Sequence, residues 1–387
     1  MEIRRFQFRN QGQKVTDDRA YVAFLIRKDT NKIARIDLGN QHKIDTAIRQ
    51  LVQRLANYEP SELQAEKVDR LVIGKLRKRL AGVQLLLLAG DGMFNHLPLA
   101  VLPGTDRDYW IDEMAFAYVP SVRELVERRR PQSREAAAPA WGKKATSWLV
   151  VGDVDYGERQ KPHVRLPDTA EEARFVDEVF SQLAGVPFGK EFADGHPGIL
   201  MGIDPDRTTV QRLLRSRNYV HLATHGFFRQ RDVDAYAIRG VAAQLDSALV
   251  LQGANDDKSG LDSLLTAEEI ANLDLKHVQL VVLSACETGL GHVQAGQGTL
   301  GLVGSLQQAG VRTVLGALWK VESKATVELM KAFYRQLLAR KSDFAPAFAL
   351  RAAQLEMLAN ERYFEVPSLW AAWTVNGDPG DLPSTDR

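Results

Sequence analysis

His225 and Cys286 are the two residues whose type and setting best suit covalent chemistry. His225 closes the segment Tyr219-Val220-His221-Leu222-Ala223-Thr224-His225-Gly226. Cys286 follows Leu280-Val281-Val282-Leu283-Ser284-Ala285 and precedes Glu287-Thr288-Gly289. In each segment an apolar run ends in a reactive residue and then a glycine or small polar turn. Such runs read as parallel strands, and open α/β sheets carry their sites outside the carboxyl ends of strands. If the two strands are neighbours, both side chains emerge at one edge. A thiol beside an imidazole is the minimum set for cysteine nucleophilic catalysis. The thiolate attacks a carbonyl carbon, and the imidazole moves protons to and from nucleophile and leaving amine. The developing oxyanion needs fixed donors. The backbone N–H groups of Gly226 and Cys286 are the candidates, because Gly226 lets the backbone approach a ligand with no Cβ in the way.

Plainer readings compete for the same residues. Free cysteine is among the most buried residue types, so Cys286 alone reads as core filler. Its pairing with a second strand end carrying His-Gly shifts the reading to function. Strand alternation puts His221 on the face of His225, where it reads as a buried, hydrogen-bonded structural histidine. His292, in the glycine-rich stretch after Cys286, reads as a solvated loop residue. The pairs Glu171-Glu172 and Glu268-Glu269 fall near helix starts, where negative charge complements the helix dipole. Gly296-Gln297-Gly298-Thr299-Leu300-Gly301 fits G-x-G-x-x-G, but about ten residues separate it from the preceding strand. A dinucleotide fingerprint needs its glycines in the strand-to-helix turn itself. No phosphate loop, G-x-S-x-G elbow or H-E-x-x-H pattern occurs. The expected chemistry needs no cofactor and no metal.

Positioning these residues requires strands and helices in alternation. Strands are expected at 148–152, 219–223, 279–285 and 312–318. Helices are expected at 170–183, 208–216, 266–273, 299–309, 323–339 and 345–360. That order predicts an α/β domain with a largely parallel sheet covered on both faces. Earlier in the chain, 21–26 and 32–38 read as a hairpin. Helices follow through Ile44–Leu55 and Val68–Leu80, then strands at 84–89 and 114–119, then a short helix from Ser121. Residues 128–144 (RRRPQSREAAAPAWGKK) have no amphipathic period and read as a linker. The division is therefore 1–130, a linker at 131–146, and 147–387.

The 387 residues carry 50 basic and 49 acidic side chains, so no overall basic excess points to nucleic acid. A single cysteine excludes an intramolecular disulfide framework and suits a reducing compartment. The charged start Met1-Glu2-Ile3-Arg4-Arg5-Phe6 lacks a signal-peptide core. No apolar run approaches the roughly 20 residues of a membrane helix. A soluble, cytoplasmic protein with no membrane association is expected.

The blocks HLATHG and VVLSACETGLG, each at a strand end and in this order, resemble the CHAT family of caspase-like and separase-like cysteine proteases. The likeness spans most of the chain. GDGMFNHLPLAVLP (90–103) and YVPSVREL (118–125) look like the family's N-terminal half. LPDTAEEA (166–173), LLTAEEIANLDL (264–275), GQGTLGLVGSLQQAGVRTVLGALWKVES (296–323) and WAAWTVNGDP (370–379) look like its C-terminal half. The resemblance implies a caspase-like three-layer α/β catalytic domain, preceded by a smaller non-catalytic caspase-like α/β domain. It makes His225 the catalytic histidine and Cys286 the nucleophile of an endopeptidase acting on protein. Family members linked to bacterial defence imply regulated proteolysis. The family's tetratricopeptide repeats do not occur in these residues. A recognition or activating module of that kind is expected on a longer chain or a separate protein. Caspase-like sites read the residue before the scissile bond in a pocket beside the catalytic pair. Asp153, Asp155 and Glu322 follow strands and are the pocket candidates. A carboxylate there would favour Arg or Lys, while loop and helix capping is the competing account of the same acids. A catalytically silent CHAT-fold scaffold is the alternative function.

Overall fold

A computed structural model describes residues 1–7, 19–28, 32–105, 107–128, 146–157, 163–228, 247–256, 262–284, 297–340 and 343–380. Strands β1 (Glu2–Gln7), β2 (Arg19–Ile26) and β3 (Ile33–Asn40) form an antiparallel sheet of their own. β2 and β3 are the expected hairpin strands. β1 lies outside the expectation because Glu2, Arg4 and Arg5 leave no clean alternation to read. Helix α1 (Gln41–Ala56) buries Ile44, Ile48, Leu51, Val52 and Leu55 on one face, and Asn40 caps its start. The single helix expected at 68–80 is instead α2 (Glu62–Leu71), a 3-10 turn at Ile73–Lys75 and α3 (Arg77–Leu80).

The second sheet positions the site. It contains β4 (Leu85–Leu88), β5 (Ala115–Tyr118), β6 (Trp148–Val154), β7 (Ile199–Gly202) and β8 (Tyr219–Leu222). A third small sheet holds β9 (Gly226–Phe228), β10 (Ser247–Val250) and β11 (Leu264–Thr266). The main sheet is completed by β12 (Leu280–Leu283), β13 (Thr313–Ala317) and β14 (Trp373–Gly377). Its order is β4-β5-β14-β13-β12-β8-β6-β7, and every neighbouring pair is parallel except β13 with β14. The five strands from β13 to β7 therefore share one direction, and β4, β5 and β14 run the opposite way.

Helices cover both faces: α4 (Val122–Arg128), α5 (Asp168–Ala184), α6 (Arg207–Leu214), α7 (Ala267–Ala271), α8 (Gln297–Gln308), α9 (Ser323–Ala339) and α10 (Pro346–Leu358) lie between the strands in sequence. Alternate strand residues supply two separate cores, as the pleat requires. Trp148, Val150, Tyr219, Leu280 and Val282 pack with Val176 and Phe180 of α5 and Phe333 and Tyr334 of α9. Leu149, Val151, Val220, Leu222, Val281 and Leu283 pack with Leu213, Ile270, Leu302 and Leu306. The result is the expected α/β architecture with a largely parallel sheet. Residues from both sides of the 131–146 segment share the main sheet and the first core. Residues 129–145, which include most of that segment, lie outside the described residues.

Gly152 lets α5 lie directly on β6. A Cβ there would stand 2.6 Å from the Thr169 carbonyl oxygen and 2.7 Å from the Ala173 Cβ. This close approach brings the first turns of α5 to the carboxyl ends of the strands.

The start of β8 is held by Arg217, whose side chain is only 3% exposed. Its two Nη atoms donate to the Asp194 carboxylate at 2.7 and 2.9 Å, and Nε donates to the Trp148 carbonyl at 3.1 Å. The Arg217 hydrogen bonds hold the Asp194 carboxyl down at about 2. The folded state thus prefers the ionised acid. The resulting stability is present above the ordinary carboxylate range and is lost as pH falls to about 2. Asp194→Asn is expected to cost about 1 kcal/mol at pH 7, after allowing for solvent screening of a side chain 35% exposed. Urea unfolding of wild type and variant should converge at pH 2. An equal gap at both pH values would show that the pair is not the source.

Candidate active site

β6, β8 and β12 are adjacent, parallel and in register: Val151 faces Leu222, and Leu222 faces Leu283. His225 and Cys286 each stand three residues beyond the matched Leu222–Leu283 pair. β12 is described as far as Ser284. Cys286 and His292 lie outside the described residues.

His225 is 1% exposed, and its surroundings fix both backbone and ring. Its backbone N–H donates to the Tyr156 hydroxyl at 3.2 Å. That hydroxyl lies 2.8 Å from Thr224 Oγ1, which itself donates to the Val250 carbonyl at 2.5 Å. The Thr224 proton is thereby committed, so Tyr156 donates to Thr224 and accepts from His225. The Tyr156 ring centroid lies 4.9 Å from that of His225, with His163 at 5.6 Å.

His225 Nε2 lies 2.6 Å from the Val164 carbonyl oxygen. A carbonyl only accepts, so the geometry assigns the proton to Nε2 and leaves the lone pair of the neutral ring on Nδ1. The segment supplying that carbonyl is pinned by Asn255. Its Oδ1 accepts from the His163 N–H at 3.1 Å and its Nδ2 donates to the His163 carbonyl at 2.8 Å.

Gly226 opens β9 opposite Leu249. The Val250 N–H donates to the His225 carbonyl at 2.8 Å, which makes Gly226–Leu249 a pair without mutual hydrogen bonds. The Gly226 N–H consequently points away from β10. His221, four residues and so two pleat repeats earlier, is fully buried in the core beneath α5 and α9. Its Nδ1 lies 3.0 Å from the Tyr334 hydroxyl and its Nε2 lies 3.1 Å from Glu172 Oε1. Burial, and then the Glu172 charge, pushes the Tyr334 phenol well above its ordinary range, so it keeps its proton.

Two of the three pocket candidates have local side-chain partners, and the third is engaged through its backbone. Asp153 has φ +49° and takes a two-pronged ion pair from Arg165 at 2.7 and 2.8 Å. Asp155 accepts from the Gly157 N–H at 3.0 Å. Glu322 sits at the N-cap of α9, and its N–H donates to the Tyr58 hydroxyl at 2.9 Å. None of them lines the cavity at the ends of β8 and β12. That cavity is walled by Asp168, Glu172, Thr224, Ser284, Lys320 and Val321, among others.

Sequence reasoning missed four contributors. Tyr156, Val164 and Thr224 carry no motif signal, because they act through a hydroxyl or a backbone carbonyl placed by the fold. Glu172 did carry one. It falls on the stripe Thr169, Ala173, Val176, Phe180 that α5 buries, so a dipole role at the helix start does not account for it.

A CHAT domain match spans residues 62–378. Mouse tetratricopeptide repeat protein 28 is 26% identical over 321 residues, a stretch covering 77% of this chain and 12% of that protein. The chain thus spans only a small part of the curated relative's length. Among solved structures, the Arg-specific cysteine proteinase gingipain R aligns with TM-score 0.45 and 12% identity over 88% of this chain and 75% of its own. The Saccharomyces cerevisiae separase–securin complex aligns with TM-score 0.45 and 12% identity over 81% of this chain and 17% of its own. With the domain match covering most of its length, this chain belongs to the CHAT domain family.

Proposed function

We propose that this chain is a cysteine endopeptidase acting on protein substrates through Cys286 and His225. The observation that carries the reading is the in-register adjacency of β8 and β12, whose carboxyl ends lie side by side at one edge of the sheet. Membership of the CHAT domain family supports it. In the proposed reaction His225 Nδ1 takes the thiol proton, and Sγ attacks the substrate carbonyl carbon. The N–H groups of Gly226 and Cys286 receive the oxyanion. The S–C bond forms, the C–N bond breaks, and the imidazolium protonates the leaving amine. A water, deprotonated by the same nitrogen, then hydrolyses the thioester and restores the thiol. The Val164 carbonyl holds the ring throughout, because a proton fixed on Nε2 keeps Nδ1 as the acting base.

A tetratricopeptide-repeat relative supports activation by a module of that type, supplied on a longer chain or by a second protein. The glycine-rich stretch 289–298, which follows Cys286 in the sequence, is the segment on which such a partner would act. The test is mass spectrometry of proteome fragments generated by the purified chain, with and without candidate repeat proteins. New peptide termini absent from a Cys286→Ala control are expected. Their absence under every condition, with no labelling of Cys286 by a thiol-directed peptide probe, would leave the silent scaffold as the function.

A further inference from the structure

Among the described residues, only Tyr58 and Asp153 are non-glycine residues with positive φ. Tyr58, at φ +58°, stands just past the last turn of α1. That turn closes as a Schellman motif. The Tyr58 N–H donates to the Leu55 carbonyl at 3.1 Å, and the Glu59 N–H donates to the Arg54 carbonyl at 2.9 Å. Glycine is the usual residue at this place, because a Cβ in the left-handed region crowds the backbone. Tyrosine is therefore an unfavourable choice for the local backbone. Burial does not account for it, since the side chain is 44% exposed.

The hydroxyl supplies what a glycine lacks. It accepts the Glu322 N–H at 2.9 Å, across 264 residues of chain. Glu322 is the N-cap of α9. In a capping box that N–H would be taken by a Glu or Gln side chain at the third helical residue. Here the third helical residue is Ala325, buried and without an acceptor. The acceptor comes instead from the end of α1. The point of attachment lies at the candidate catalytic edge. Residues 318–322 lead from the carboxyl end of β13, the neighbour of β12, into α9. The same segment is tied toward α1 a second time. Trp319 Nε1 donates to the Ser368 carbonyl at 2.9 Å, and the 3-10 turn Pro367–Leu369 lies against α1. Resting on the peptidase reading above, we infer that Tyr58 is a strut through which α1 sets the segment Trp319–Glu322. It is a positioning residue supplied to the candidate catalytic edge from the amino-terminal part of the chain. The strained backbone is what lets the ring leave the helix end toward Glu322. Displacement of α1 by a bound partner would then reach that edge through this bond.

Two variants of the full chain separate a strut from a packing contact. Tyr58→Phe keeps the ring and the strained backbone and removes only the hydroxyl. Tyr58→Gly removes the hydroxyl and the strain together. Hydrogen exchange resolved at single amides should show the Glu322 N–H exchanging about 2–10-fold faster in both variants, the worth of one hydrogen bond. Cleavage of peptide reporters should fall in kcat/KM by a similar factor in both. Tyr58→Gly should nonetheless melt above Tyr58→Phe, because glycine relieves the left-handed strain. Stability and activity thus part company, whereas a merely structural tyrosine predicts that cleavage recovers with the melting temperature. Exchange of Glu322 at the wild-type rate in Tyr58→Phe overturns the strut, and that measurement decides even where the glycine variant folds poorly. Recovery of cleavage in Tyr58→Gly in step with its melting temperature also overturns it. A wild-type chain that cleaves no peptide sinks the peptidase reading, and faster Glu322 exchange in both variants then still supports the strut.

Discussion

Cys286→Ala is expected to abolish peptide cleavage while leaving the melting temperature unchanged. Removing a covalent nucleophile costs on the order of 10⁴–10⁶ in rate in comparable acyl-transfer systems. A substitution that removes only a packing contact changes stability and leaves the reaction intact. Activity against peptide reporters and thermal unfolding of the same preparations separate the two cases. The mutation is informative because Cys286 is the chain's sole cysteine, so no second thiol can substitute. Wild-type rates retained in the alanine variant would sink the assignment. A silent scaffold predicts that both proteins are inactive and bind the same partners.

The second large effect separates two histidines on one strand path. His225→Ala should remove cleavage to a similar degree, since the imidazole moves every proton in the cycle. It should do so with a small change in stability, because the backbone bonds of His225 to Tyr156 and Val250 survive the loss of the ring. His221→Ala should behave in the opposite way. It empties a fully buried position between Tyr334 and Glu172 and strips the Tyr334 hydroxyl of its partner, at about 1–3 kcal/mol. Denaturant titration and activity measured on both variants test the contrast. Exchange of the two phenotypes would reassign the base to His221.

The strands that carry the site were legible because they are buried on both faces. Val281-Val282-Leu283 and Trp148-Leu149-Val150-Val151 have no polar side to confuse with a surface strand. β7, β9, β10, β11 and β14 were not read. They are three to five residues long, and β14 alternates Thr374 and Asn376 with Trp373 and Val375 although all four are buried. Asn376 satisfies itself within β14 by donating to Thr374, a local solution that composition cannot announce. The cavity at the ends of β8 and β12 is hidden from the strand pattern for a related reason. The strand ends offer Asp153, Asp155 and Glu322, none of which lines it. The acids lining the cavity come from the first turns of α5, and only the glycine at position 152 lets that helix come so near. Nothing in the strand pattern states how closely a helix will approach.

The place of β14 sets the order in which the newborn molecule can close. It lies between β5 and β13 in the main sheet, yet it is made from residues 373–377, after every other strand among the described residues. A ribosome delivers the amino-terminal residues first. Until the last of these residues emerges, β5 and β13 each present a bare edge, a state open to pairing with other chains. The segments bearing His225 and Cys286 are synthesised well before that seam is sealed. The framework that would hold them in register is thus completed only after residue 377 has emerged, well after the strands on either side of the seam.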